Sequence, residues 1–331
     1  MSLRIGVVGT GVMGADHART LNLSVHGASV TVLADPDLDR ARQASRSIDG
    51  ARAVADAHEL VAADDVDAIV IASGDALHVE HVTAALAAGK PIMCEQPLAP
   101  TAEECRALMR REEEVTEGGA NLISVGFMRR FDPGYVELRA LIEQGELGVP
   151  LQVHSVGRGV SAPAGTDELT IHGSAIHDLD IVPWLLGSPV VEVAWHSGRQ
   201  SPEVADRHDP VFLLLRHADG ALSTVDVFLN ARYGYDIRCE VVGSQSSASL
   251  VEPRRVVRDT GLGRSRGYAA DWRPRFADAY RQELTAWVGS IVHGTPSPLA
   301  AADDALQAAL VADAAVMSMH AGGAFVAVGE P

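Results

Sequence analysis

The feature that most constrains the fold is a glycine-rich turn near the start of the chain. A β-branched run at residues 4–9 leads directly into Gly9-Thr10-Gly11-Val12-Met13-Gly14, and residues 15–23 have the composition of a helix. Between a strand and a helix, glycines at this spacing allow a tight turn, close approach of the backbone to a pyrophosphate, and close helix–strand packing. The helix N-terminus offers unpaired N–H groups to the phosphates. This segment therefore predicts a dinucleotide-binding unit.

Asp35 predicts which dinucleotide binds. It ends the next apolar run, residues 28–34. A carboxylate at this position accepts hydrogen bonds from the adenosine ribose hydroxyls and repels a 2′-phosphate, so NAD is favoured over NADP. The nearby Arg40 and Arg42 weaken that preference somewhat, although we expect both side chains to lie on the solvated face of a helix.

Length and charge exclude several classes of protein. A chain of 331 residues with 47% apolar residues predicts two domains, each with a sizeable core. The formal charge of −17 argues against binding to nucleic acid or to an anionic membrane surface. The sequence has no apolar run of membrane-spanning length and no basic leader before the first strand, so we expect a cytoplasmic protein.

Two rare residue types narrow the chemistry. The three cysteines (Cys94, Cys105 and Cys239) are few and widely spaced, which predicts a reduced compartment, no disulfide framework and no metal site. Of the 27 basic residues only one is a lysine, Lys90. Almost no ammonium group is therefore available for catalysis.

The order of predicted elements indicates the fold class. Apolar runs alternate with helical stretches up to about residue 125, which predicts an α/β domain with a doubly wound parallel sheet over residues 1–125. Thr101 is expected to cap one of its helices, with Glu104 at the third helical position. Residues 126–331 predict an α+β domain with a mostly antiparallel open sheet. Its predicted strands are residues 151–156, 190–195, 211–216, 221–229 and 237–242, and its predicted helices are 135–143, 174–186, 276–292 and 303–319.

Several further sequence blocks carry a family resemblance. After Ser73 and His78 come residues 93–99 (Met-Cys-Glu-Gln-Pro-Leu-Ala), then residues 125–132, 176–180, 233–240 and 271–272. With the glycine turn, these blocks make the chain resemble the Gfo/Idh/MocA oxidoreductases over nearly its whole length, and within them the bacterial inositol dehydrogenases. The resemblance implies a Rossmann cofactor domain, a second domain for substrate binding and oligomerisation, NAD as the cofactor, and a polyol or sugar-like substrate.

The resemblance also implies a set of site residues. The catalytic positions would be Gln96, Arg129, His177 and Tyr235, with His177 as the acid–base group because an imidazole titrates near neutral pH. The cofactor-binding positions would be Gly9, Thr10, Gly11, Val12, Met13, Gly14, Asp35, Ser73, His78, Glu95 and Gln96.

Four positions depart from the family pattern. Gln96 stands where the family has the lysine of a Glu-Lys-Pro motif, and Gly173 stands where it has an aspartate four residues before the histidine. Gly157 and Gly159 replace a histidine and an asparagine that inositol dehydrogenases direct at the substrate. Glutamine cannot supply the positive charge that favours alkoxide character, and loss of one such donor costs roughly 10²–10³ in rate. We therefore expect an enlarged substrate pocket and slow turnover of myo-inositol.

Three functions stay open on this evidence. The first is an NAD-dependent oxidoreductase acting on an unidentified polyol or sugar-like molecule. The second is a catalytically impaired NAD-binding homologue that acts as a sensor or scaffold, and the third is an NAD-dependent glycoside hydrolase. The resemblance further implies a homo-oligomer, either a tetramer or a dimer, assembled through the open face of the second sheet.

Overall fold

A computed structural model describes residues 2–119, 121–251 and 256–330, which form two compact units. The first unit contains Met1–Phe131 and Asp278–Leu306, and the second contains Asp132–Ala277 and Gln307–Pro331. The sequence places a single boundary after residue 125. The structure instead returns residues 278–306 to the first unit, so the chain contributes to that unit twice.

The first unit contains a six-stranded parallel sheet in the order β3-β2-β1-β4-β5-β6. Its strands are β1 (Leu3–Val8), β2 (Ala28–Ala34), β3 (Arg52–Val54), β4 (Ala68–Ile71), β5 (Ile92–Glu95) and β6 (Ile123–Gly126). Its first five helices are α1 (Val12–Ser24), α2 (Leu38–Ser45), α3 (Ala57–Val61), α4 (His78–Ala87) and α5 (Ala102–Thr116). The strand order reverses between β1 and β4, which is where a doubly wound sheet binds its dinucleotide. The predicted α/β fold is confirmed.

Local sequence signals account for much of this unit. All four residues of β4 are buried, as expected for a central strand of a parallel sheet covered on both faces. Thr101 caps α5 as predicted: its Oγ1 accepts a hydrogen bond from the Glu104 amide at 3.2 Å and donates one to the Glu104 carboxylate at 2.8 Å. The core also takes in Leu284, Trp287 and Leu299 from the returning segment, which explains why that segment belongs here.

The second unit contains a seven-stranded mixed sheet in the order β12-β11-β7-β10-β9-β8-β15. Its strands are β7 (Pro150–Arg158), β8 (Val190–Ser197), β9 (Val211–His217), β10 (Leu222–Phe228), β11 (Asp236–Gly243), β12 (Ser247–Ser249) and β15 (Val326–Ala327). Neighbouring strands are antiparallel except β7 and β10, which are parallel. The predicted mostly antiparallel sheet is therefore confirmed.

The five predicted strands of this unit correspond to β7–β11. The turn between β9 and β10 contains Gly220 at a φ of +94°, a conformation that favours glycine. The sequence did not predict the edge strands β12 and β15, or a separate hairpin of β13 (Arg258–Thr260) and β14 (Gly263–Ser265). Strands of two or three residues are too short to show an alternating pattern.

The described residues after β6 form five further α-helices: α6 (Pro133–Glu143), α7 (Asp167–Thr170), α8 (Ile176–Leu186), α9 (Trp272–His293) and α10 (Ala302–His320). The helix predicted over residues 174–186 differs at its start, because Ile171–Ala175 form a π-helical turn and α8 begins only at Ile176. Such turns are frequent at functional sites. Within the described ranges, no helix is both long and apolar enough to span a membrane.

Candidate functional site

Gly9, Gly11 and Gly14 each have a different geometric reason for being glycine. Gly9 follows β1 with a φ of +86°, and a Cβ there would lie 2.5 Å from the Ala72 carbonyl oxygen. A Cβ on Gly14 would clash with the Gly9 carbonyl oxygen, so the turn and α1 could not pack closely. A Cβ on Gly11 would meet no atom within 4 Å. Gly11 therefore borders open space, as backbone approach to a pyrophosphate requires.

The N-terminus of α1 fits the phosphates of a dinucleotide. Gly11 is its N-cap residue, and in this fully described helix no side chain caps the first turn and no acidic residue lies in it. Val12 is exposed, Met13 is half-buried, and neither carries a charge. The positive end of the helix dipole therefore meets no opposing side-chain charge in this turn and can attract an anion.

Asp35 lies just after β2, and its carboxylate is only 3% exposed. Its Oδ2 accepts hydrogen bonds from the Thr10 amide at 2.9 Å and the Thr10 hydroxyl at 3.0 Å. Arg40 binds both carboxylate oxygens, with Nε 2.9 Å from Oδ2 and Nη2 2.6 Å from Oδ1. Arg40 lies on the exposed side of α2 as expected, but its guanidinium also reaches back to the Asp35 carboxylate. Arg42 also lies on the exposed side, paired with Asp39 at 3.2 Å.

These contacts determine the charge of Asp35. Burial by itself raises the pKa of this carboxyl, but hydrogen bonds from Arg40, from Thr10 and from the Asp37 amide outweigh burial and lower the pKa to about 2. Asp35 is therefore ionised at neutral pH. An ionised carboxylate is the form that accepts hydrogen bonds from a ribose diol.

Ser73 and His78 connect the loops that follow β4 and β5. The His78 ring is buried, with Nδ1 2.7 Å from the Pro97 carbonyl oxygen and Nε2 3.1 Å from the Ser73 carbonyl oxygen. The Ser73 hydroxyl lies 2.9 Å from Nδ1 of His81, whose pKa is lowered by burial. His78 is thus engaged with protein carbonyl groups. Its geometry supports a role in fixing these two loops.

Glu95 and Gln96 stand at the end of β5, and a histidine that the sequence analysis did not single out holds Glu95. His17 Nε2 lies 2.6 Å from Glu95 Oε1. The backbone N–H of Gln96 donates a hydrogen bond to Glu95 Oε2 at 3.3 Å. The fully buried His17 ring also packs edge-on against Tyr280, with centroids 5.6 Å apart. One sequence signal was available: His17 follows Gly14 by three residues and so lies on the buried face of α1.

Two basic residues of the first unit are held inside it. Arg129 lies in the short 3₁₀ turn Met128–Phe131 after β6, and its side chain is buried. Lys90 donates hydrogen bonds from Nζ to the carbonyl oxygens of Val61 at 2.7 Å and Ala63 at 2.8 Å, at the end of α3. Burial lowers the pKa of Lys90, while nearby aspartates oppose that shift. The one lysine of the sequence therefore satisfies carbonyl groups at a helix end.

In the second unit, His177 lies in the first turn of α8 and is half-buried. The next residue, Asp178, is buried, and its carboxylate accepts a hydrogen bond from the Ser155 hydroxyl on β7 at 2.6 Å. This bond ties the first turn of α8 to the sheet and thereby restricts where the His177 side chain can point.

The π-helical turn before α8 contains His172 and Gly173. His172 Nε2 lies 3.5 Å from Asp313 Oδ1 on α10, and burial lowers the pKa of His172 while Asp313 opposes that shift. A Cβ on Gly173 would contact only Leu169, at 3.8 Å, so this turn has room for a side chain. Gly157 has similar room, since its Cβ would contact only Ile237, also at 3.8 Å.

Gly159 is different, and the expectation that it enlarges the pocket is wrong. A Cβ there would lie 2.5 Å from the Leu229 carbonyl oxygen. The Gly159 amide donates a hydrogen bond to the Phe228 carbonyl at 2.9 Å, and its carbonyl accepts one from the Ala231 amide at 3.0 Å. Glycine is required here because two backbone segments approach closely.

Tyr235 directly precedes β11 and is fixed by its surroundings. Its amide donates a hydrogen bond to the Ala269 carbonyl at 2.9 Å, and its ring lies edge-on to Phe276 with centroids 6.4 Å apart. The neighbouring Tyr233 hydroxyl donates to Asp236 Oδ2 at 2.8 Å. Tyr235 is therefore held by both backbone and ring contacts.

The predicted site residues fall into two groups. The cofactor residues, Gln96 and Arg129 belong to the first unit, while His177 and Tyr235 belong to the second. Their convergence in one site stays a prediction. Across residues 2–119, 121–251 and 256–330, no group of three or more histidine, cysteine, aspartate or glutamate side chains is arranged to hold a metal ion.

Sequence comparison decides the family. Residues 3–118 match an oxidoreductase family with an NAD-binding Rossmann fold, GFO_IDH_MocA, and residues 135–249 match the GFO/IDH/MocA C-terminal domain. The chain belongs to the Gfo/Idh/MocA family. This confirms the predicted resemblance and the NAD-binding Rossmann domain. Among relatives, an inositol 2-dehydrogenase of Paenarthrobacter aurescens is 47% identical over 326 residues, covering 98% of both chains. One of Saccharopolyspora erythraea is 44% identical over 325 residues, covering 97% of this chain and 94% of the relative.

Solved structures of this family agree with the fold. A myo-inositol dehydrogenase from Lactobacillus casei, in complex with NAD(H) and myo-inositol, has a TM-score of 0.94 at 29% identity and covers 100% of this chain and 98% of its own. A myo-inositol dehydrogenase from Corynebacterium glutamicum has a TM-score of 0.87 at 29% identity, covering 100% of both chains. This Gfo/Idh/MocA member therefore has the architecture of inositol dehydrogenases throughout.

Proposed function

We propose that this Gfo/Idh/MocA protein is an NAD-dependent dehydrogenase acting on polyols of the inositol class. The observation that carries the proposal is the glycine turn, which borders open space at Gly11, begins a helix without a side-chain cap and lies beside the ionised Asp35. The names of the full-length relatives, inositol 2-dehydrogenases, supply the substrate class. A polyol presents the secondary alcohol that such a site oxidises.

In this reaction the substrate loses a hydride from carbon and a proton from the hydroxyl group, and a carbonyl forms. Bound NAD supplies the hydride acceptor at its nicotinamide ring. We assign the proton to the His177 imidazole, which acts as general base in oxidation and as general acid in the reverse direction. Asp178 and Ser155 are positioning residues, because their hydrogen bond holds the first turn of α8.

Gln96 gives this site a neutral donor in place of the lysine of the family. Its amide can hydrogen-bond the substrate oxygen but cannot offset the negative charge that develops there, which lowers the rate by roughly 10²–10³. Lys90 cannot compensate, because its Nζ is held at the end of α3. We therefore propose slow turnover of myo-inositol. The space beside Gly157 and Gly173 favours a bulkier substrate, such as a substituted cyclitol, an amino-cyclitol or a glycoside.

A second candidate function is NAD binding without turnover, as in a sensor or scaffold. The same two replacements favour it, since Gln96 removes the cation and Gly173 removes the carboxylate that would orient His177. An NAD-dependent glycoside hydrolase differs from both, because it regenerates its cofactor in each cycle. Such an enzyme retains NAD tightly through purification and needs none added.

A substrate panel distinguishes these functions. The purified protein is assayed for bound NAD(H) and then incubated with myo-inositol, other cyclitols, sugars and glycosides in the presence of NAD or NADP, following absorbance of the reduced nicotinamide. We expect oxidation that requires added NAD and is lost in His177→Ala but retained in His172→Ala, a matched histidine change. Calorimetry in which the wild type binds neither cofactor would overturn the proposal. NAD binding with no turnover of any substrate would favour the sensor.

We also propose that the protein is a cytoplasmic homo-oligomer, a tetramer or a dimer. One face of the second sheet carries an exposed Phe212, which lies in register with Asp226 on β10 and, through it, with the half-buried Val156 on β7. A second copy could cover this partly apolar face. All three cysteines are buried and none forms a disulfide bond, which agrees with a reducing compartment. Light scattering of wild type and Phe212→Glu tests the assembly: we expect the variant to be smaller, and a monomeric wild type would contradict it.

A further inference from the structure

The Asp35 carboxylate has more hydrogen-bond donors around it than it has acceptor sites. Its Oδ1 receives the Asp37 amide at 2.9 Å and Arg40 Nη2 at 2.6 Å. Its Oδ2 receives the Thr10 amide, the Thr10 hydroxyl and Arg40 Nε, at 2.9, 3.0 and 2.9 Å. A carboxylate offers about four acceptor sites. A ribose diol that is to bind Asp35 must therefore displace one of these donors.

Arg40 is the donor that a ribose diol can displace from Asp35. The Asp37 and Thr10 amides belong to the backbone, and the Thr10 side chain is buried. The Arg40 side chain is 49% exposed and ends a long, flexible stem at the start of α2. Water can solvate its guanidinium once it leaves Asp35, so the exchange of Arg40 for two ribose hydroxyls keeps every polar group satisfied.

We propose that Arg40 determines how strongly this site discriminates between NAD and NADP, an inference that rests on the proposed NAD-binding function. With a ribose diol as ligand, Arg40 leaves and the hydroxyls donate to Asp35. With a 2′-phosphate as ligand, Arg40 transfers from the carboxylate to the phosphate, which its planar guanidinium binds through two parallel hydrogen bonds. Arg40 thus offsets the repulsion between Asp35 and the phosphate, and the site binds NADP weakly instead of excluding it.

The charges around the pair support this assignment. Asp37 is the N-cap residue of α2 and also interacts electrostatically with Arg40, so without Arg40 a 2′-phosphate would lie near two carboxylates, Asp35 and Asp37. Arg42 is the next arginine of the same helix, but it pairs with Asp39 and points away from Asp35. Arg42 is therefore a matched control of the same residue type, the same helix and similar exposure.

Binding of the reduced cofactors tests the inference without relying on turnover. Dissociation constants for NADH and NADPH are measured by nicotinamide fluorescence for wild type, Arg40→Gln, Arg40→Lys and Arg42→Gln, with circular dichroism to verify folding. We expect Arg40→Gln to raise the ratio of the NADPH to the NADH dissociation constant by about tenfold to hundredfold, the effect of losing charge-assisted hydrogen bonds. Arg40→Lys should fall between this variant and wild type, and Arg42→Gln should leave the ratio unchanged.

The neutral variant Asp35→Asn tests the same pair from the other side. It should tighten NADPH binding, because it removes the repulsive charge and frees Arg40. This gain should be smaller in Asp35→Asn/Arg40→Gln, which also lacks the repulsive charge but has no guanidinium to bind the phosphate. The inference would be overturned, with NADH binding intact, by an Arg40→Gln ratio equal to that of Arg42→Gln. An NADPH gain as large in the double variant as in Asp35→Asn would also overturn it. A wild type that binds neither nucleotide would instead overturn the proposed function as well.

Discussion

His17 Nε2 lies 2.6 Å from Glu95 Oε1, and this pair joins the helix that begins at the glycine turn to the strand end that carries Gln96. The His17 side chain is fully buried, and its Nδ1 has no hydrogen-bond partner among the described residues. His17 therefore helps to hold the helix after the glycine turn and the end of β5 in one arrangement.

Replacement of His17 by alanine should destabilise the protein much more than loss of a similar pair at the surface. His17→Ala removes the partner of a largely buried carboxylate and leaves a cavity, which costs about 2–4 kcal/mol. The His58–Glu80 pair has a similar separation of 2.9 Å, but both its side chains are more than half exposed. His58→Ala should cost less than about 1 kcal/mol. Urea unfolding of both variants measures the loss in the free energy of unfolding. Equal losses for His17→Ala and His58→Ala would contradict the structural role of His17.

Restoring the two family groups should raise activity on myo-inositol. Gln96→Lys returns a cation beside the reacting oxygen, which corresponds to roughly 10²–10³ in rate. Gly173→Asp returns a carboxylate near His177, and the structure has room for it, because its Cβ would contact only Leu169. Since both groups act on one proton transfer, the double variant should gain more than the product of the single gains.

Initial rates with myo-inositol and NAD, measured for wild type, both single variants, the double variant and the double variant with His177→Ala, test this prediction. The His177 change should abolish the gain. A wild type as fast as the double variant would refute the prediction, as would an inert double variant that binds NAD normally. In the latter case the space beside Gly157 would point to a different and larger ligand.

Gly157 in β7 and Gly159 directly after this strand should respond differently to substitution. Gly159→Ala forces a Cβ against the Leu229 carbonyl oxygen, 2.5 Å away, so overpacking should cost about 1–3 kcal/mol. Gly157→Ala meets only the Ile237 side chain at 3.8 Å and should change the stability little. Thermal unfolding of the two variants measures this contrast. A lower melting temperature for Gly157→Ala than for Gly159→Ala would show that the two positions are assigned the wrong way round.

The Asp35 carboxylate should make stability depend on pH in the acid range. Its pKa in the folded protein is about 2, below the ordinary value of 3.8, so the folded state binds this proton less readily than the unfolded state. The resulting stabilisation, about 2 kcal/mol, is complete above the ordinary pKa and is lost as the pH falls toward 2. Urea unfolding at stepped pH should therefore give the wild type a larger free energy of unfolding than Asp35→Asn near neutral pH. The difference between the two free energies should decrease below about pH 4. A difference that does not change with pH would contradict this prediction.

Local patterns account for the parts of the fold that were predicted. The Thr101 cap and the five main strands of the second sheet follow from hydrogen-bonding preferences and periodicity within short segments. The π-helical turn before His177 was not predicted, because nothing in residues 171–175 distinguishes it from an ordinary helical turn. The return of residues 278–306 to the first unit was also missed, since a helix pattern shows that a helix forms but not which core it joins.

The sequence by itself determined the strand–turn–helix unit, its glycines and the acid that follows, because these depend on backbone sterics and on spacing along one short segment. The tertiary structure alone decided which groups meet. It paired His17 with Glu95 across 78 residues, placed Arg40 on Asp35, and brought the Leu229 carbonyl against Gly159. Such contacts depend on strand register, helix position and side-chain direction, which are set when distant segments pack together and leave no signal in the local pattern.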